Sequence, residues 1–461
     1  MQKKSIGFGF RGWIVLIYQF LAFVMYVSLN NFGQNVMANV NANVRGWNAT
    51  LVPTVYTIVC VVSVIIQFIF GKRIANSGKV KNLSMILLTI SGVLTIATAL
   101  NGSNEVLWLI TWALATGIAI IAATFMVSTV VGQWFPRRKG TVMGLATLAF
   151  PVINGVGLTI FSNLLSNSRG NMIIAWLPWL ILDFIAILLC GLFIKEYPEQ
   201  CGAYPDNDKS MTPEVAKAMM EKQAEARKRS VWNLKNMART VDFWLITIPQ
   251  GILLIGAVGV MTQVMPIFMQ FGYVAFTDHG ISPTAVGAIL LLVNAAIACA
   301  GSWILGIIDT KFGTKKAILI SDIFMILSGI FCYIGNSTMN NVVFLIGFWF
   351  LQIFMGASSN FTVSSAAQYW KREDFPSAYS YINPLANLIC AFGPIIVAGI
   401  GAAAGFTTVW IVIFGLGVLA TILTLAFKPS RLMERDKLYR REAGLPEEGL
   451  SKTAEEMRLA K

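Results

Sequence analysis

Charge is what this chain lacks most. Asp, Glu, Lys and Arg make up 12% of its 461 residues, against about a quarter in soluble globular domains, which excludes a water-soluble fold. Histidine is nearly absent. His279 stands alone, and nowhere do Cys, His, Asp and Glu gather, so metal-assisted and nucleophilic chemistry lack the groups they need. An enzyme, a metal site and a cofactor are therefore not expected. A Gly-rich loop ending in Lys and Ser/Thr, the cradle for nucleotide phosphates, is also missing, which argues against ATP as an energy source. The cysteines, Cys60, Cys190, Cys201, Cys299, Cys332 and Cys390, show no close pairing. Buried single thiols behave as small hydrophobes, so no disulfide framework is implied.

What is present is apolar length. The chain is 56% hydrophobic with a mean hydropathy of +0.68. About twelve runs reach the roughly 20 residues that cross about 30 Å of hydrocarbon. They lie at 12–34, 49–70, 82–101, 105–132, 140–166, 171–194, 241–271, 284–308, 315–335, 341–368, 376–402 and 406–427. The first follows Lys3, Lys4 and Arg11, ends in Asn30, Asn31 and Gln34, and has no small-residue cleavage pattern, so it reads as a retained span. The net charge of +13 is a topology signal. With both termini in the cytoplasm, every Lys and Arg except Arg45 and Arg169 falls on the cytoplasmic side, as the positive-inside rule requires. A nucleic-acid partner would need a basic face with interleaved aromatics on a soluble domain, and none is found.

A polar stretch from Lys195 divides the runs into two sixes. The expected organisation is an N-terminal six-helix bundle over 1–194, a cytoplasmic linker over 195–240, a C-terminal bundle over 241–427 and a cytoplasmic tail over 428–461. Within the linker, Thr212, Pro213 and the helix formers after them predict a surface helix. The charged tail reads as surface helix or disorder. One register relates the halves. Gly71, Gly78 and Lys81 recur 235 residues later as Gly306, Gly313 and Lys316, and Gln133, Trp134 and Arg137 recur as Gln368, Tyr369 and Arg372. A constant offset across separate loops marks a duplicated unit, here a half-transporter.

The loops GKRIANSGKVK and GIIDTKFGTKK resemble the signature loop of the major facilitator superfamily, which reads Gly, Asp four residues on, Gly three further, then bases. The glycines allow a very short turn between helix ends. This chain departs from the pattern: Ala75 holds the Asp position in the first copy, and in the second Asp309 comes one residue early, with Thr310 in its place. QWFPRRKGTVMGLATLAFP resembles the loop between spans four and five in the branch of oxalate:formate antiporters and monocarboxylate transporters, with QYWKREDFPSAYSYINP as its second-half counterpart. Trp134 and Tyr369 suit the membrane interface, and Arg137, Arg138 and Arg372 the cytoplasmic side. The resemblance implies an all-α membrane protein of twelve transmembrane helices in two pseudo-symmetric six-helix bundles, holding its substrate between them near the midplane.

Polar side chains inside spans are then the substrate-binding candidates: Gln19, Tyr26 and Asn30 in span one, Asn154 in span five, Gln263 in span seven, Asn294 in span eight, Gln352 and Asn360 in span ten, and Asn383 and Asn387 in span eleven. The alternative for each amide is a helix-to-helix hydrogen bond. Two acids lie well inside the hydrocarbon. Asp183 in span six is the proton-coupling candidate, since an apolar setting favours the protonated carboxyl. Asp322 in span nine is expected to pair with a loop base such as Lys371 or Arg372. The relatives named above carry charges in spans one, eight or eleven; this chain has none in those interiors. A small dianion stripped of water needs cationic partners, so oxalate is disfavoured.

The reading is a monomeric secondary transporter of the cell membrane, moving a small or medium organic acid by alternating access with proton symport or exchange. A proton-coupled carrier of bulky amphipathic acids, such as bile acids, or a drug exporter is the alternative within transport. A membrane sensor without flux is the alternative outside it, though linker and tail are short for a signalling domain.

Overall fold

The computed structural model describes residues 7–48, 50–75, 77–135, 139–208, 214, 218, 221, 230–277, 279–371 and 374–447. Arg137, Arg138, Arg372 and most of the expected linker helix lie outside them. Eleven helices among the described residues are long and apolar enough to cross a membrane. In order, helices one to ten are Gly9–Arg45, Leu51–Phe70, Val80–Leu100, Glu105–Trp134, Val142–Asn167, Met172–Phe193, Val241–Gly259, Ala285–Phe312, Thr314–Ser337 and Asn341–Ser358, the last continuing after a turn as Phe361–Tyr369. The final stretch, Ser377–Ala426, has 50 residues, about twice what one crossing needs. It turns at Gly405, where φ is 78° and ψ is 159°, so it supplies helices eleven and twelve, and the expected twelve crossings are present.

Helix starts follow the sequence. Asn104 accepts Leu107 N–H, Asn171 accepts Ile173 and Ile174 N–H, and Asn340 accepts Val342 and Val343 N–H, each side chain meeting donors that the first turn leaves unpaired. Helix one runs to Arg45, well past the apolar run, because its amides bond along the helix: Asn39 to Asn35 O, Asn43 to Asn39 O, and Arg45 to Asn41.

Several helices are locally unwound. Helices one, four, five and seven carry π segments at Gly33–Met37, Ile121–Val127, Ile153–Gly157 and Ile255–Gly259. Such bulges cost regular hydrogen bonds and concentrate at functional sites. Moved 235 residues along, the segments in helices four and five fall on the breaks at Ser359–Asn360 and Ala391–Phe392. The duplication thus extends to backbone irregularities. At Gly33 a Cβ would lie 2.5 Å from Trp112 Nε1, and that indole donates to Leu29 O at 3.0 Å; glycine admits the ring.

Span seven departs from expectation. Its helix stops at Gly259, and a short helix, Val264–Met269, follows after a turn. Pro266, which has no N–H to return toward Thr262, helps to explain the break. Beyond it lies an unexpected hairpin, β1 (Val274–Thr277) antiparallel to β2 (Gly280–Pro283).

The chain forms two compact units, Met1–Lys217 with Thr262–Ala295, and Ala218–Met261 with Ala296–Lys461. Each is described by itself below.

Candidate functional site

In the first unit, Gln19 is fully engaged: Nε2 donates to Ala123 O at 3.0 Å and Oε1 accepts from Ser128 at 3.3 Å. It joins helices one and four. Asn30 accepts from Gln34 Nε2 within helix one. Tyr26, half-buried, meets the Tyr56 hydroxyl at 3.3 Å, and its ring stands edge-on to Phe150, which also packs on Phe23. Gln263 is buried at the start of the short helix. The N–H of Met265, in that helix's first turn, is accepted by Asn35 Oδ1 at 3.1 Å, a cap delivered from helix one. Asn154 and Asn294 are both buried, and Asn154 Oδ1 and both amide atoms of Asn294 have no hydrogen-bond partner among the described residues.

In the second unit, Gln352 Nε2 faces Met261 Sδ at 3.1 Å while its Oε1 is unpartnered. Asn360 sits at the break in helix ten and opens Phe361–Tyr369. Asn383 Oδ1 accepts from Thr362 at 3.1 Å, and Asn387 Nδ2 donates to Asn383 O at 2.9 Å, so the stripe on helix eleven bonds partly to itself.

Asp183 is 3% exposed, and its Oδ1 has no partner among the described residues. Its other oxygen would lie 3.0 Å from a Cβ at Gly92, so it presses on helix three. Asp322 corrects an expectation. Its partner is Thr424 Oγ1 of helix twelve, at 2.9 Å, while Lys371 binds Asp436 at 2.6 Å and Glu447 O; Arg372 is outside the described residues. A hydroxyl at the same depth meets one carboxyl oxygen, while Oδ1 has no partner among the described residues; a loop base would have to bury its own charge there.

The signature loops show their glycines at work. Gly78 and Gly313 both have positive φ, 64° and 95°, a conformation that side chains disfavour. Gly71 and Gly306 lie inside helices. Asp309 accepts from Thr314 Oγ1 at 2.5 Å, a bond within the loop itself. The second loop pair acts beside it. Gln368 Oε1 accepts Thr314 N–H at 2.6 Å and the Tyr369 hydroxyl accepts Lys315 N–H at 2.8 Å, holding the first turn of helix nine. In the first half Glu196 takes that part, accepting Val80 and Lys81 N–H at 3.1 and 2.8 Å, with Gln133 behind it at 3.4 Å.

Two features go beyond the sequence reading, which has the tail as surface helix or disorder and says nothing of its partners. The tail forms a helix, Pro429–Glu442, which buries Asp436 and Arg440 against Lys371 and Asp374. Arg440 pairs with both acids, Ser230 donates to Asp374, and Trp232 Nε1 donates to Asp436. At the other end of this helix Arg431 grips Asp242, and hydrogen bonding to that carboxylate raises the guanidinium pKa. The Asp436 and Arg440 spacing of four was the available signal. Glu196, the first acid past span six, was the other.

A cavity of about 340 Å³ lies at the start of helix one, lined by Phe8, Arg11, Trp134, Phe135, Tyr204 and Asn207 among others. None of the candidate amides borders it.

A family model described as Major Facilitator Superfamily matches residues 14–277 and again 271–455. No curated protein matches the sequence. Among solved structures, a D-xylose-proton symporter is similar at 13% identity, covering 92% of this chain and 99% of that one, with a TM-score of 0.66. A transporter of the POT family in complex with 5-aminolevulinic acid is 13% identical, with coverage of 92% and 98% and a TM-score of 0.65. A bacterial homolog of the human lysosomal transporter Spinster is 14% identical, with coverage of 93% and 99% and a TM-score of 0.63. Identities this low carry the fold alone.

Proposed function

Because the chain belongs to the major facilitator superfamily, and is a multi-pass secondary transporter rather than an enzyme, we propose that its cargo is a small or medium organic acid, moved by alternating access with proton symport or exchange. The distribution of bases supports a cytoplasmic position for both termini. The observation that carries the substrate class is the loop from Gln133 to Pro151, which resembles that of the oxalate:formate and monocarboxylate branch. The absence of any base in the interiors of spans one, eight and eleven narrows the class to monoanions and their neutral acids. Asn154 of helix five, Asn294 of helix eight and Gln352 of helix ten, buried with oxygens unpartnered among the described residues, are the binding candidates. Asp183, buried and with one oxygen unpartnered, is the side chain suited to carrying a proton.

The contact of Phe23 and Tyr26 with Phe150 favours a second reading, in which the acid has a bulky apolar body. Uptake into proteoliposomes under an inward proton gradient separates them. Competition by short monocarboxylates supports the first, competition by bulky amphipathic acids alone supports the second, and indifference to every carboxylate sinks both. In the same assay Asp183→Asn is expected to lower gradient-driven uptake without lowering exchange; unchanged gradient-driven uptake removes Asp183 from the coupling scheme.

A further inference from the structure

Helices five and eight meet in the first unit at Gly155. A Cβ there would lie 2.7 Å from the Leu291 carbonyl oxygen and 2.8 Å from the Ala295 Cβ, so a side chain would force the helices apart. Asn154 precedes this glycine, and Asn294 lies between the two residues that the glycine touches. Asn294 is 2% exposed, Asn154 6%. Neither Oδ1 nor Nδ2 of Asn294, nor Oδ1 of Asn154, has a hydrogen-bond partner among the described residues. Buried polar groups are rarely left so. Gln19, bonded to Ala123 and Ser128, Asn30, bonded to Gln34, and Asn383, bonded to Thr362, are by contrast engaged.

A primary amide presents one acceptor and one donor side by side. A neutral carboxylic acid answers both: its O–H donates to Oδ1 while Nδ2–H donates to its carbonyl oxygen. A carboxylate answers only the donor and sets an anionic oxygen against Oδ1. A base could compensate, but helix five carries no Lys, Arg or His, and on helix eight the only one is Lys311, at the opposite end.

We propose that Asn294, supported by Asn154, is a subsite for the protonated carboxyl of the cargo, so that each acid brings a proton across on itself, independently of Asp183. The proposal rests on the organic-acid reading above. The proton stays on the cargo oxygen throughout, hydrogen-bonded to Oδ1, and leaves with the cargo.

The test is thermal shift on the purified full-length protein at pH 5 and pH 8, with acetate, lactate and benzoate and with acetamide, lactamide and benzamide. Each pH unit above a ligand's pKa removes about nine-tenths of its neutral form. Apparent affinity for the acids should therefore fall by roughly 100- to 1000-fold between the two pH values, while the carboxamides bind alike at both. Asn294→Leu should abolish both responses and hold or raise the unliganded melting temperature, since it removes an unpaired buried amide; a merely structural amide would lower it. If that variant folds poorly, Asn154→Ala, expected to weaken binding several-fold, replaces it. Among the described residues, the ionisable groups on elements packed around the seam are Arg11, Tyr18, Tyr26 and Arg45 of helix one, Asp183 and Cys190 of helix six, Tyr273 and His279 beside and within the hairpin, and Cys299, Asp309 and Lys311 of helix eight. His279→Asn and Asp183→Asn are the controls, and both should keep the pH profile. Acids that bind equally or better at pH 8, an Asn294→Leu variant that binds like the parent, a profile lost in either control, or no response to any probe at pH 5 would each overturn the proposal. A response to carboxamides alone would leave an amide-complementary subsite and overturn the organic-acid reading instead.

Discussion

The two halves solve one problem with different chemistry. Helix three and helix nine begin within one residue of positions related by the 235-residue repeat, and each exposes first-turn amides that need acceptors. In the first half the acceptor is a carboxylate, Glu196, with Gln133 hydrogen-bonded behind it. In the second half Gln368 and Tyr369, the repeat partners of Gln133 and Trp134, accept the amides directly. A further difference follows. Asp374 and Lys371, where the first half has Lys139 and Pro136, are buried with Asp436 and Arg440 of the tail helix. A duplicated backbone has thus kept its glycines and turns while its polar anchors diverged, and among the described residues the tail fastens the loop of the second half.

This contrast can be broken in order of expected effect. Arg440→Ala leaves Asp374 and Asp436 buried without their guanidinium, a loss of about 3–5 kcal/mol for removing one partner of a buried ionic group. It should give the largest fall in thermal stability of the three variants, and a change within error would mean that the tail is not clamped as described. Glu196→Ala removes a charged acceptor from two amides, about 1.5–3 kcal/mol, and adding Arg440→Ala should give a loss close to the sum, because the two sites share no partner. Gln368→Ala removes a neutral acceptor from one amide, about 1 kcal/mol by analogy with helix caps. If Gln368→Ala proved worse than Glu196→Ala in the same melting assay, the assignment of the stronger anchor to the first half would be reversed.

Much of this was legible in the sequence. Apolar length and the placement of bases specified the crossings, since hydrocarbon leaves the backbone few alternatives to helix. The offset carried by Gly78 and Gly313 predicted turns that both show positive φ. Span seven was misread because apolar residues on either side of Thr262 and Gln263 conceal a break whose cause is backbone hydrogen bonding. The hairpin after it has only short strands and so leaves little periodicity to read. The site was legible as residue type but not as state. Gln19 and Asn294 look alike in sequence, yet Gln19 is satisfied by helix four while both amide atoms of Asn294 are unpartnered. That distinction depends on three-dimensional neighbours. The bond of Asp322 to Thr424 was missed for the same reason, because Thr424 is 102 residues away in the chain; Lys371, one of its expected partners, binds Asp436 instead.

The central claim, a secondary transporter of organic acids, meets its most direct test in proteoliposomes loaded with a panel of unlabelled monocarboxylic acids and exposed to a trace of one radiolabelled member. A carrier of this class should accumulate label transiently above equilibrium, without ATP, and more strongly under an inward proton gradient. Label that merely equilibrates at the rate of protein-free vesicles, for every acid in the panel, would contradict the account.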